Sequence, residues 1–129
     1  MMTLTVSEII ELHTKLIAVT GGSPGIRDTG LLESAVYGCY QSFGGTNLYP
    51  TIIEKAARLA YTICKNHPFI DGNKRVAVTV MLVMLRLNGI GLSYTQQELI
   101  TLGLGIADGN FEYDYIVKWI NKHFNFDKH

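Results

Sequence analysis

Residues 67–75 read His67-Pro68-Phe69-Ile70-Asp71-Gly72-Asn73-Lys74-Arg75, and they place a titratable base, a carboxylate, a glycine, an amide and two cations side by side. The run lies between the expected end of one helix and the start of the next, so it is an anion site with a base beside it. Free amides at a helix N-terminus carry partial positive charge, Gly72 removes the side chain that would block approach, and Lys74 and Arg75 add full charges. A phosphate fits these donors. Asp71 beside a phosphate is repulsive unless a divalent cation lies between them, which is how Mg2+ is commonly held. His67 supplies the one side-chain type of the run that can be neutral and basic near pH 7, as removal of a proton from a hydroxyl requires. The Phe69 ring is expected to be buried and to pin the loop.

The elements that must position this run follow from spacing. Ser7 is the expected cap of a first helix carrying Ile9, Ile10, Leu12, Leu16 and Ile17, which glycines 21, 22 and 25 and Pro24 end. Asp28 or Thr29 caps a short second helix. Residues 37–50 contain the one expected β element, a hairpin turning at Gly44-Gly45. Thr51 and Glu54 have capping-box spacing and open a third helix to about Asn66, where Pro68 forbids continuation. A fourth helix runs from near Asn73 to Asn88-Gly89, apolar on nearly every face, as expected of a helix surrounded by others. Thr95 and Glu98 open a fifth, and a sixth spans about 112–122. The expected architecture is an all-α six-helix bundle with a buried central helix and a small β-hairpin flap, one domain over 1–129.

Composition narrows the function classes. Eleven basic and eleven acidic residues cancel, which argues against global attraction to nucleic acid or membrane. Residues 76–85 are apolar but far shorter than the roughly 20 needed to cross a bilayer. Residues 1–10 lack the pattern of a secretory signal, and Cys39 and Cys64 have no metal or redox spacing, so reduced thiols in a cytoplasmic protein are expected. His13, His123 and His129 lack partners at ligand spacing and read as surface or terminal residues. Arg58 and Lys65 read as surface cations, Met81, Met84 and Cys64 as packing. Tyr37, Tyr40 and Phe43 fit a core, a flap or a partner surface equally.

The run 67–75 resembles the signature of the Fic/Doc superfamily, specifically its death-on-curing branch. The likeness extends upstream through 25–35, the Phe43-Gly44-Gly45 stretch and 48–51, covers most of 25–90, and weakens toward the C-terminus. The resemblance implies that His67 deprotonates a target hydroxyl, that Asp71 binds Mg2+, and that Gly72 and Asn73 line a phosphate cradle. It implies that Lys74 and Arg75 grip phosphates, Lys74 counting with His67 as catalytic. The flap, Gln41, Ser42, Phe43, Gly44, Gly45, Thr46 and Asn47, would clamp an extended target segment by strand addition.

Two departures from the adenylylating Fic pattern bear on the transferred group. Lys74 stands where that pattern has glycine, and Val78 where it has a second arginine. The death-on-curing branch shares both and is known for a protein kinase that inactivates elongation factor Tu. The resemblance therefore implies a toxin of a toxin–antitoxin pair that moves the ATP γ-phosphate to a hydroxyl of a translation factor, with Mg2+. AMP transfer is the alternative in the same class, and a catalytically silent nucleotide- or antitoxin-binding module is the alternative in another. No glutamate is followed by the glycine or asparagine of the self-inhibiting Fic helix. Inhibition in trans by a separate antitoxin is implied instead.

Overall fold

The computed structural model describes residues 1–124. The helices are α1 Val6–Thr20, α2 Thr29–Gly38, α3 Ile52–Asn66, α4 Asn73–Leu87, α5 Gln96–Ala107 and α6 Tyr113–Lys122; β1 Ser42–Phe43 and β2 Thr46–Asn47 form the one sheet among the described residues. The all-α expectation with a small hairpin holds.

Local chemistry sets most of the helix starts. Thr5, Thr51 and Thr95 each accept from the backbone N–H three residues on, while Glu8, Glu54 and Glu98 reach back to the cap backbone. For α1 this corrects the expected cap: Thr5, not Ser7, starts the helix, because Thr5 has a glutamate three residues on and Ser7 has Ile10. Asp28 caps α2 through Leu31 N–H at 3.1 Å. The hairpin pairs Ser42 with Asn47 and Phe43 with Thr46. Its turn needs positive φ at both central residues, which Gly44 (58°) and Gly45 (82°) supply.

α4 is the expected central helix, with Val76, Ala77, Val80, Met81, Met84 and Leu85 all buried. It packs against α1, α3 and α5, while α3 also meets α2 and α6. Cys39 and Cys64 are free and buried. Burial pushes the Cys39 thiol up to about 11 and the Cys64 thiol upward, so both are packing groups. No helix among the described residues is long and apolar enough to cross a membrane.

Two histidines expected at the surface are interior. His13 is 2% exposed and His123 9%. Facing His123's ring nitrogens are Trp119 O at 2.8 Å and Glu98 Oε2 at 2.8 Å, which joins the end of α6 to the start of α5. His129 lies outside the described residues. Tyr37, Tyr40 and Phe43 are all exposed. Arg58 is half-buried rather than free at the surface, its guanidinium lying 5.5 Å from the Tyr49 ring and 5.7 Å from that of Tyr61.

Candidate active site

His67 closes α3. Its N–H donates to Ile63 O at 3.2 Å and its backbone is left-handed, φ 51° and ψ 58°, the one such non-glycine residue among those described. The side chain is exposed. Pro68 follows and ends the helix, and Phe69 turns inward to 1% exposure, as its ring chemistry requires.

Phe69 is held by Asn73. The Asn73 side-chain oxygen accepts from Phe69 N–H at 3.0 Å, and its NH2 donates to Phe69 O at 3.0 Å. Asn73 is 7% exposed, so its side chain shapes the loop and what it offers toward an anion is its main-chain N–H. That N–H is the first of the uncapped α4 terminus, where Gly72 (φ 77°) makes no side-chain cap bond. The first N–H groups of the helix are thus without intrahelical acceptors.

Asp71 precedes this terminus. Its Oδ1 accepts from Gly72 N–H at 2.8 Å and its Oδ2 from Ser23 N–H at 3.1 Å. These bonds, Ser23 first and Gly72 second, with Arg75 adding charge, hold its carboxyl below the ordinary carboxylate range. The carboxylate is partly exposed and each oxygen keeps a lone pair for a cation. Among the described residues no three His, Cys, Asp or Glu side chains group to hold a metal.

The two cations divide. Lys74 is exposed and lines a cleft of about 360 Å³ between α1, α4 and α5, together with Arg75, Val78, Leu99, Ile100 and Gly103. Arg75 Nη1 bonds Thr20 Oγ1 and donates to Gly21 O at 3.0 Å, while Nη2 lies 4.0 Å from Asp71. A guanidinium has five N–H donors, so Nε and Nη2 remain for an anion.

Sequence reasoning missed the frame behind the loop. His13, Ile17 and Thr20 fall on one stripe of α1, and each meets the run 67–75. His13 Nε2 donates to Asp71 O at 2.7 Å and its ring stacks on Phe69. Gly72, whose φ of 77° favours glycine, packs close to this stripe, where a Cβ would lie 2.9 Å from Ile17 Cδ1. The chain after α1 supplies more: Ile70 N–H donates to Gly25 O at 3.1 Å, Arg27 N–H to Pro68 O at 2.7 Å and Asp28 N–H to Pro68 O at 3.0 Å. The expected flap stands apart. All its strand residues are exposed, and among the described residues no hydrogen bond joins it to 67–75.

A family model described as the Fic/DOC family matches residues 3–85. The toxin Doc of Mycolicibacterium smegmatis is 38% identical over 73 residues, 57% of this chain and 56% of that protein. The protein kinase doc of Escherichia phage P1 is 34% identical over 102 residues, 79% of each chain. With an exposed histidine, a bonded carboxylate and an uncapped helix start meeting in the run that carries the signature, the chain belongs to the Fic/DOC family, on its Doc branch.

Proposed function

We propose that this protein is the toxin of a toxin–antitoxin pair and a protein kinase, transferring the γ-phosphate of ATP to a hydroxyl of a translation factor, elongation factor Tu being the first candidate. The names of its two relatives support the toxin and kinase readings. The observation that carries the choice of phosphoryl over AMP transfer is the pair Lys74 and Val78. They lie one helical turn apart on α4 and both line the cleft, where the adenylylating pattern has glycine and arginine. A cation and an apolar wall replace the second guanidinium that would orient the α-phosphate toward the base.

The residues present fit Mg2+ and a nucleotide. Asp71 is held ionised with open lone pairs. Mg2+ there would neutralise phosphate charge. Asn73, Lys74 and Arg75 N–H groups, with the Lys74 ammonium and the free Arg75 donors, would bind phosphate oxygens. His67 would take the proton of the attacking hydroxyl as its oxygen bonds the γ-phosphorus and the bond to the ADP oxygen breaks. The flap, Gln41 to Asn47, has unpaired strand edges that would add a strand of target. A separate antitoxin would cover the cleft and silence the enzyme in trans.

The test is incubation with elongation factor Tu, Mg2+ and ATP labelled separately at the α and γ positions, followed by intact-mass analysis. One added phosphate and γ-label on the target support the kinase. One added AMP and α-label overturn it in favour of adenylylation. No change on any translation factor, together with growth arrest that survives His67→Ala, leaves a silent binding module.

A further inference from the structure

We infer that Arg27 is the positioning residue that keeps His67 in its left-handed backbone conformation; this rests on the reading of His67 as the base. The end of a helix leaves carbonyls without intrahelical donors. Arg27 takes three in succession. Its Nη2 donates to Asn66 O at 2.6 Å, its Nε to His67 O at 2.7 Å, and its main-chain N–H to Pro68 O at 2.7 Å. The peptide units on both sides of the His67 Cα are therefore fixed from one residue outside the helix, and φ 51° places its exposed side chain.

Two features separate this from an ordinary surface arginine. Among the described residues Arg27 joins no salt bridge, so its charge is directed at the loop and not at a carboxylate. Its backbone is also anchored to the loop, through Pro68 O and through the antiparallel bridge of Ile26 with Phe69. The guanidinium fork thus starts from a fixed point. Adjacent N–H groups of a planar fork match successive carbonyls, which a lysine ammonium on a flexible stem cannot do with the same geometry. A left-handed conformation is uncommon for a residue bearing a side chain, and it persists where surrounding bonds over-determine it.

The experiment compares the full-length wild type, Arg27→Ala, Arg27→Lys and His67→Ala by two readouts. The first is the His67 backbone conformation, from NMR chemical shifts. The second is kcat and KM for ATP in γ-label transfer. In Arg27→Ala the His67 shifts are expected to leave the left-handed region. Its kcat should fall roughly tenfold to hundredfold with KM for ATP within about twofold, as for a misplaced catalytic group. Millimolar methylguanidinium should restore part of kcat, and Arg27→Lys should lie between. Unchanged His67 shifts in Arg27→Ala, or a raised KM with kcat intact, overturn the proposal. If Arg27→Ala does not fold, Arg27→Lys carries both readouts. A fully active His67→Ala refutes the base and not the backbone claim, which the NMR shifts decide alone.

Discussion

The imidazole of His13 lies flat against the ring of Phe69, centroids 3.9 Å apart and planes 11° from parallel, while its Nε2 bonds the carbonyl of Asp71. One buried side chain of α1 thereby touches the run 67–75 at two points, the anchor Phe69 and the residue proposed to face Mg2+. Replacing His13 by alanine removes a buried ring and orphans the Asp71 carbonyl. It is expected to destabilise by about 2–4 kcal/mol, read by urea denaturation. The accompanying sign is weaker Mn2+ binding, measured by electron paramagnetic resonance. Unaltered Mn2+ affinity would mean that the Asp71 carboxylate does not depend on this contact.

Asn73 gives a second test, because it both donates to and accepts from Phe69. Asn73→Asp keeps the acceptor but sets a carboxylate oxygen against Phe69 O where a donor was. It should cost at least as much stability as Asn73→Ala, itself about 1–3 kcal/mol. A milder loss in the aspartate variant, by thermal or urea unfolding, would contradict the bonding described.

Two glycines in α5 should respond with opposite sign. A Cβ on Gly103 meets nothing closer than 3.7 Å, so Gly103→Ala should be neutral or stabilise by roughly 0.5–1 kcal/mol through helix propensity. A Cβ on Gly105 would fall 2.1 Å from the ring of Phe111, and the Phe111 main-chain N–H donates to Gly105 O at 2.9 Å. Gly105→Ala should destabilise by about 1–3 kcal/mol as the ring is displaced. Melting midpoints of the two variants decide this.

Acid should loosen the junction of α5 and α6. The bond from His123, then those from Thr95, hold the Glu98 carboxyl at about 2, below its ordinary 4.5. A carboxyl depressed in the folded state contributes stability above its ordinary value, and the contribution is lost as pH falls from about 4.5 toward 2. Asp71 is shifted the same way. A plot of melting temperature against pH should therefore fall over that window, less steeply in Glu98→Gln. Identical acid limbs would show that the pair adds nothing to folding.

How far the sequence could be read depended on the separation of interacting residues. The capping boxes at Thr51 and Thr95 are legible because both partners lie within four residues, and Pro68, Gly72 and Gly44-Gly45 act on their own backbone. Where two caps competed, at Thr5 and Ser7, the glutamate three residues after Thr5 decided. His13 and His123 read as surface residues although both are interior, since their side-chain links to Asp71 and Glu98 span 58 and 25 residues and no periodicity encodes such a bond. The candidate site was legible as residue types, because helix end, proline, glycine and helix start are contiguous. The roles of Arg27 and of the Asn73 side chain were not, as each depends on a backbone carbonyl whose direction only the fold defines.

That loop carries a consequence for how such a protein is made. The bonds that shape it reach back 39, 40, 48 and 58 residues, to Arg27, Ser23 and His13. During synthesis from the N-terminus the supporting segment emerges first, and the bonds that join it to the loop form only once residues 66–71 follow. A chain that ends before residue 66 therefore cannot form any of these bonds.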